Sequence, residues 1–345
     1  MSAILEEPLA DASVWRSADI ALRDDWQHML DPAELDDIAS ALTHAKATGK
    51  AATELTRDDF PIDALRPSIA RWMEVLQRGA GFINVKGLPV ERFSEQELAT
   101  VHWGIGTHMG TGVSQNAAGD LLSHIRDVGA NPGDRGKRLY KTNIELGFHS
   151  DGSDIVALLC LQQAPWGGKS RLASCGAIYN EILRRRPDLI PLLYETFSWD
   201  RNEEQGEGET PFFDLPICSY HDERLRFFYI GWYIRNAQRH PQVPRLSAEQ
   251  VQLLDLIDEI ALAPEFHLEF RLVPGEIAYL KNSAALHMRT AYEDHEEPER
   301  KRHLIRMWLT AHGHWADGDA FVQQGIPVRA GVVSDVQEIT KAGSA

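Results

Sequence analysis

The sequence predicts a mainly β fold with helical inserts, a jelly roll rather than an alternating βαβ sheet, on three observations. From Tyr140 onward, short runs rich in β-branched, leucine and aromatic residues recur: DIVALLCLQQA, RLRFFYIGWYI, FHLEFRLVPGEIAYLKN and HLIRMWLTAH. Two stretches with helical periodicity, GAIYNEILRRRPDLIPLLYETF and SAEQVQLLDLIDEIAL, interrupt them. Connections of uneven length without an internal repeat fit strands folded back in two layers, not a sheet wound by regular crossovers.

The first 130 residues read as mostly helical. PSIARWMEVLQRGAGF sets Ile69, Trp72, Val75 and Leu76 on one face, with Pro67 in the opening turn and Gly79 and Gly81 at the close. GFINVKGLPV reads as a short strand and turn, and FSEQELATVHWGI opens a second helix with Ser94 and Glu97 at capping-box spacing. Ser247 and Gln250 repeat that spacing in the later insert. The expected division is an N-terminal helical extension at 1–79 packed on the core, a jelly-roll domain at 80–315, and a C-terminal tail at 316–345. Two Gly-rich, charged loops, VGANPGDRGKR and DRNEEQGEGETP, read either as solvated surface loops or as a lid over a site.

With 43% hydrophobic and 25% charged residues, and no apolar run near the ~20 residues of a membrane span, the composition is that of a soluble globular chain. The start MSAILEEPLADAS is acidic and lacks the basic and apolar regions of a secretory signal, so a cytoplasmic location is expected. Cys160, Cys175 and Cys218 match neither a zinc knuckle nor a redox pair, and read as buried thiols in a reducing compartment. A net charge of -16 disfavours nucleic acid and anionic membranes. A small-molecule ligand is the expected partner; homo-oligomerisation stays open.

Chemistry gathers around NIELGFHSD. With 14 His and 25 Asp in the chain, a His-x-Asp triplet arises about once by chance, so His149-Ser150-Asp151 is either a ligand pair or part of a wet strand. On a strand, His149 and Asp151 converge on one face while Phe148 and Ser150 turn away. Two such ligands need a third, and two His with one carboxylate is the non-haem Fe(II) oxygenase set. VPGEIAYLKNSAALHMR offers His287 after a strand and a short loop; alone, that histidine is more often structural. In ERKRHLIRMWLT, Arg302 and Arg306 stand four apart, on one face if this is a strand, among apolar neighbours. A buried guanidinium demands an anion, either a structural carboxylate or an anionic cosubstrate beside a metal. WGGKS fails as a P-loop because Gln163 stands where the first glycine is required, and GIGTHMG is one residue too long for a dinucleotide fingerprint.

The order ELGFHSD, APWGGKSRLAS, VPGEIAYLKNSAALH, RKRHLIRMWL resembles the taurine/α-ketoglutarate dioxygenase (TauD/TfdA) family over about residues 80 to 315. The resemblance implies a double-stranded β-helix and an Fe(II)- and 2-oxoglutarate-dependent oxygenase using O2. It makes His149, Asp151 and His287 the iron ligands and catalytic set. It gives Arg302 the distal carboxylate of 2-oxoglutarate, helped by Ser170, which stands where the family usually has threonine. Arg306 and Glu145 match substrate-facing positions and would read carboxylate and ammonium, hence a small carboxylate, an amino acid foremost. The 15 residues from His287 to Arg302 exceed the family's usual gap, which makes the two arginines exchangeable in role. Hydroxylation is the default outcome, with desaturation or oxidative cyclisation as alternatives. A zinc hydrolase on the same ligands, or a non-catalytic cupin-like binding protein, are the rivals.

Overall fold

Alternation along the strands splits the protein into layers. The computed structural model describes residues 4–129, 142–221, 223–312 and 326–329. Its helices are α1 Ser17–Ala21, α2 Pro32–Ala47, α3 Arg66–Arg78, α4 Glu95–Thr107, α5 Cys175–Arg185, α6 Gly231–Ala237 and α7 Ala248–Leu262. The strands begin with β1 Gln27–Met29, β2 Phe82–Lys86, β3 Gly110–Gly112, β4 Leu122–Ile125, β5 Leu146–His149, β6 Ile155–Gln162, β7 Trp166–Gly167 and β8 Ser170–Ser174. There follow β9 Thr196–Asp200, β10 Phe212–Pro216, β11 Cys218–His221, β12 Arg224–Phe227, β13 His267–Phe270, β14 Ile277–Lys281, β15 Ala285–Arg289, β16 Tyr292–Glu293 and β17 His303–Ala311.

One sheet runs β1-β2-β14-β6-β17-β3, with β4 also on β17; a second runs β13-β8-β15-β5. Together they are the two walls of a double-stranded β-helix, the jelly roll that the strand texture predicts. Side chains alternate across each wall. Val156, Cys160, Ala278, Leu280, Leu304 and Trp308 of the larger sheet turn inward and meet Leu172 of β8. Their neighbours Ile155, Ala157, Leu159, Ile277, Tyr279, Ile305 and Met307 turn outward onto a cluster that also holds Ile38, Trp72 and Val101 of α2, α3 and α4. On the smaller sheet, Phe148, Ala173, Leu286 and Met288 face outward onto α5 and α7. That parity leaves His149, His287 and Arg289 pointing between the walls.

Helices α3, α4, α5 and α7 form where the sequence places them. Ile69, Trp72, Val75 and Leu76 are the buried face of α3. Ser94 caps α4 by accepting from the Glu97 backbone N–H, and Ser247 caps α7 by accepting from Gln250; each such cap contributes about 1 kcal/mol. Leu30 to Leu76 of the expected extension share one apolar cluster with the larger sheet. The first 130 residues are less helical than their texture suggests, because β1, β3 and β4 lie there beside the expected strand β2. Strands of three or four residues are too short to display a period. RLRFFYIGWYI splits likewise: β12 ends at Phe227 and α6 begins at Gly231.

Of the two charged loops, VGANPGDRGKR falls mainly at 130–138, outside the described residues, and DRNEEQGEGETP joins β9 to β10. Its base is pinned by buried Asp200, which accepts from Arg239 Nε at 2.6 Å. The expected tail at 316–345 lies outside the described residues except for 326–329. Cys160, Cys175 and Cys218 are free and buried. Among the described residues no helix is long and apolar enough to cross a membrane.

Candidate metal and anion site

His149 closes β5 and His287 sits in the middle of β15, and the antiparallel register makes them direct partners. Their ring centroids are 4.2 Å apart. The chain leaves the larger sheet at the end of β14, turns through Asn282–Ala284 and enters the smaller sheet as β15, so His287 comes after a strand and a short turn, as expected, and lies on a strand itself.

Asp151 arrives by a different route from the one strand alternation suggests, since β5 ends at His149. Two contacts set the two residues that follow. The Ser150 backbone N–H donates to the Tyr229 carbonyl at 2.8 Å. The Asp151 N–H donates to Asn282 Oδ1 at 2.9 Å, while Asn282 Nδ2 donates to the Ser153 carbonyl. The result matches the expectation: Asp151 Oδ1 lies 3.7 Å from His149 Nε2, and Asp151 Oδ2 lies 3.7 Å from His287 Nε2. One ligand atom from each of His149, Asp151 and His287 fits within 4.8 Å of the others, close enough to share one ion.

Protonation favours the ligand forms. Burial pushes His287 down to about 3, reinforced by the neighbouring His149, and burial likewise lowers His149. Burial pushes Asp151 upward, but the Arg306 guanidinium, both imidazoles and the Trp308 indole overcome it and hold the carboxyl at about 2. Neutral imidazoles beside an ionised carboxylate are what a divalent ion requires. His149 Nδ1 lies 2.8 Å from the Gly147 carbonyl; donation there frees Nε2, the nitrogen facing Asp151.

The carboxylate has its own supports. Trp308 Nε1 donates to Asp151 Oδ2 at 2.8 Å, and Arg306 Nη1 lies 3.3 Å from the same oxygen. Arg306 Nε donates to Gln115 Oε1 at 2.7 Å, and Gln115 Nε2 donates back to the Arg306 carbonyl and to the Leu121 carbonyl. Arg306, expected to face substrate, is thus built into the support of a proposed ligand. Glu145, the other such expectation, is exposed just before β5 and makes no hydrogen bond or ion pair among the described residues.

Arg302 stands differently. It is 3% exposed, immediately before β17 and next to a register shift at His303/Leu304. Its Nε donates to Gln163 Oε1 at 3.1 Å, its guanidinium lies 5.2 Å from the centre of the Tyr292 ring, and Nη1 has no partner among the described residues. No carboxylate among the described residues forms an ion pair with it. A buried guanidinium with an open donor has the chemistry to receive an anion such as the carboxylate of a 2-oxoacid. Ser170, expected beside it, opens β8 and is half-buried.

Sequence reasoning missed Gln115, Asn282, Trp308, Trp232 and Arg289. Trp308 and Arg289 follow Arg306 and His287 by two positions, so strand parity alone would have found them had the strand limits been known. Trp232, whose ring centre is 5.2 Å from that of His149, reaches the site through a bridge between His149 and Ile230, a long-range pairing with no local signal.

The family model for the taurine catabolism dioxygenase TauD, TfdA family matches residues 43–308. FR-33289 synthase of Streptomyces rubellomurinus is 34% identical over 316 residues, covering 90% of this chain and 92% of that protein. The taurine hydroxylase-like protein SAT17 of Stachybotrys chartarum is 31% identical over 318 residues, covering 87% and 79%. Among solved structures, asparagine oxygenase with Fe(II), 2S,3S-3-hydroxyasparagine and succinate superposes with a TM-score of 0.63 at 19% identity, covering 83% of this chain and 94% of that one. The non-heme iron oxygenase OrfP with Fe and alpha-ketoglutaric acid gives 0.62 at 13% identity, covering 87% and 99%. At these identities the two structures bear on the fold.

Proposed function

The chain belongs to the TauD/TfdA family of Fe(II)- and 2-oxoglutarate-dependent dioxygenases, and on that premise we propose that it hydroxylates a small carboxylate metabolite, an amino acid or close relative. His149, Asp151 and His287 would hold the iron, and Arg302 with Ser170 the distal carboxylate of 2-oxoglutarate. With both bound, the metal supplies the O2 chemistry that couples decarboxylation of 2-oxoglutarate to succinate and CO2 with insertion of one oxygen into a substrate C–H bond. The protein's part is positional. Asn282 and the Tyr229 carbonyl fix the Asp151 segment, Trp308 and Arg306 hold its carboxylate ionised, and the apolar inner wall keeps water from the anions.

The observation that carries this reading is the pairing of a three-ligand cluster with buried Arg302, whose guanidinium has an open donor and no carboxylate of its own among the described residues. Asparagine oxygenase and OrfP, the latter bound to (3S)-hydroxy-L-Arg, support an amino acid as substrate. The net charge of -16 supports a small metabolite over nucleic acid or an anionic surface, and three free buried thiols support a cytoplasmic setting. The domain limits that go with this reading are an extension at 1–79 and an oxygenase core at 80–315.

The test is a screen of free and N-modified amino acids for succinate formed with Fe(II), 2-oxoglutarate and O2. Stimulation by one amino-acid class, with a product heavier by one oxygen, is the expected result. Stimulation only by carboxylates without an amino group would move the substrate assignment. Product lighter by two hydrogens would replace hydroxylation by desaturation or ring closure.

A further inference from the structure

We propose that Arg289 is a second guanidinium for the distal carboxylate of 2-oxoglutarate, working with Arg302 and Ser170. The inference rests on the cosubstrate assignment above and adds a residue to it.

Arg289 ends β15, two positions after His287, so its side chain leaves the strand on the same inward face. Register places it directly opposite Ser170 of β8, and opposed residues of an antiparallel pair share a face. It is 7% exposed. Nη2 donates to the Ile144 carbonyl, while Nε and Nη1 have no partner among the described residues. Its guanidinium lies 4.8 Å from the centre of the Tyr292 ring, the same ring that Arg302 approaches to 5.2 Å. Neither arginine forms an ion pair with a described carboxylate.

Two buried cations gathered at one aromatic ring repel each other, and each keeps donors that water cannot reach. Leaving such donors unmet is costly. An anion supplied from outside the protein resolves both problems. The ligand must be a carboxylate at the far end of a molecule whose other end reaches the cluster of His149, Asp151 and His287, and a 2-oxodicarboxylate has that form. A purely structural Arg289 would be paired with a carboxylate of the protein, as Arg306 is with Asp151.

The experiment measures anaerobic binding of 2-oxoglutarate and of pyruvate, which lacks the distal carboxylate, to the Fe(II)-loaded full chain by calorimetry. Wild type is compared with Arg289→Gln, Arg289→Lys and Arg302→Gln. Arg289→Gln is expected to weaken 2-oxoglutarate binding roughly tenfold or more while leaving pyruvate binding unchanged, and Arg289→Lys to restore part of the loss. If Arg302→Gln weakens 2-oxoglutarate selectively but Arg289→Gln does not, the role given to Arg289 is overturned while the cosubstrate site stands. If neither variant discriminates the two oxoacids, the underlying assignment fails as well. A Gln variant that loses both oxoacids equally, with a lowered Tm, assigns Arg289 to structure and also overturns the proposal.

Discussion

Asp151 and Arg306 face each other inside the jelly roll with Arg306 Nη1 3.3 Å from Asp151 Oδ2, both side chains 7% exposed. This contact decides the ionisation of the site, since the guanidinium is the largest influence opposing the burial of the carboxylate. It also ties a proposed metal ligand to Gln115 in the loop between β3 and β4, through the Arg306 Nε hydrogen bond.

Removing any one member of the cluster should abolish turnover. His149→Ala, Asp151→Ala and His287→Ala are each expected to lower Fe(II) affinity by more than the ~10–100-fold typical of an outer-sphere loss. Fe(II) titration and succinate assay of the purified variants check this. Wild-type turnover in any one of them would remove that residue from the ligand set.

The glycine turn before β8 should control cosubstrate binding. Gly168 has φ +64°, and a Cβ there would stand 3.0 Å from both Arg302 Nε and Gln163 Oε1. Gly168→Ala is therefore expected to displace the Arg302 side chain and raise KM for 2-oxoglutarate about tenfold, the strained backbone alone costing ~1 kcal/mol. Varying 2-oxoglutarate at saturating substrate measures it. An unchanged KM would mean that Arg302 does not depend on this turn.

Acidification should destabilise the fold through histidines outside the metal cluster. Burial pushes His102 down to about 3, and burial with the neighbouring Arg126 pushes His303 down to about 2, both from an ordinary value of 6.5. The unfolded chain therefore takes up protons below pH ~6.5 that the folded chain refuses, so stability is full above that pH and falls on acidification toward pH 3. Near pH 5.5 the loss is about 1 kcal/mol for each histidine. Tm followed from pH 7.5 to 5.5 is expected to fall in wild type and to fall less in His102→Leu. An equal slope in the two proteins would remove His102 as a contributor.

Much of this was legible in the sequence, for local reasons. The α3 stripe of Ile69, Trp72, Val75 and Leu76 and the Ser94–Glu97 and Ser247–Gln250 caps depend on neighbours within a few turns of chain. His149, Asp151 and His287 were legible because their residue types are scarce in combination and their order resembles a family. What stayed hidden is set by sheet register. His287 meets His149 across 138 positions of sequence (287 − 149) through the β15–β5 pairing, and Asp151 is aimed by Asn282, not by strand alternation. Arg306 looked free for substrate because nothing local shows that Asp151 and Gln115 come to it.

The two arginines four residues apart should therefore separate by function. Arg302 has an open donor and no carboxylate of its own among the described residues, so Arg302→Ala should raise KM for 2-oxoglutarate by about 30-fold or more, from the ~2–5 kcal/mol lost when a buried charged partner is truncated. Its Fe(II) affinity should stay near wild type. Arg306 supports Asp151, so Arg306→Ala should weaken Fe(II) binding roughly 10–100-fold, leaving 2-oxoglutarate affinity little changed once iron is saturating. An anionic substrate that also reaches Arg306 would add a rise in its own KM. Steady-state kinetics varying iron, 2-oxoglutarate and substrate in turn resolve the three effects. If Arg306→Ala selectively loses 2-oxoglutarate at saturating iron while Arg302→Ala does not, the long gap after His287 has moved the roles by one turn of the pattern, and the cosubstrate belongs to Arg306.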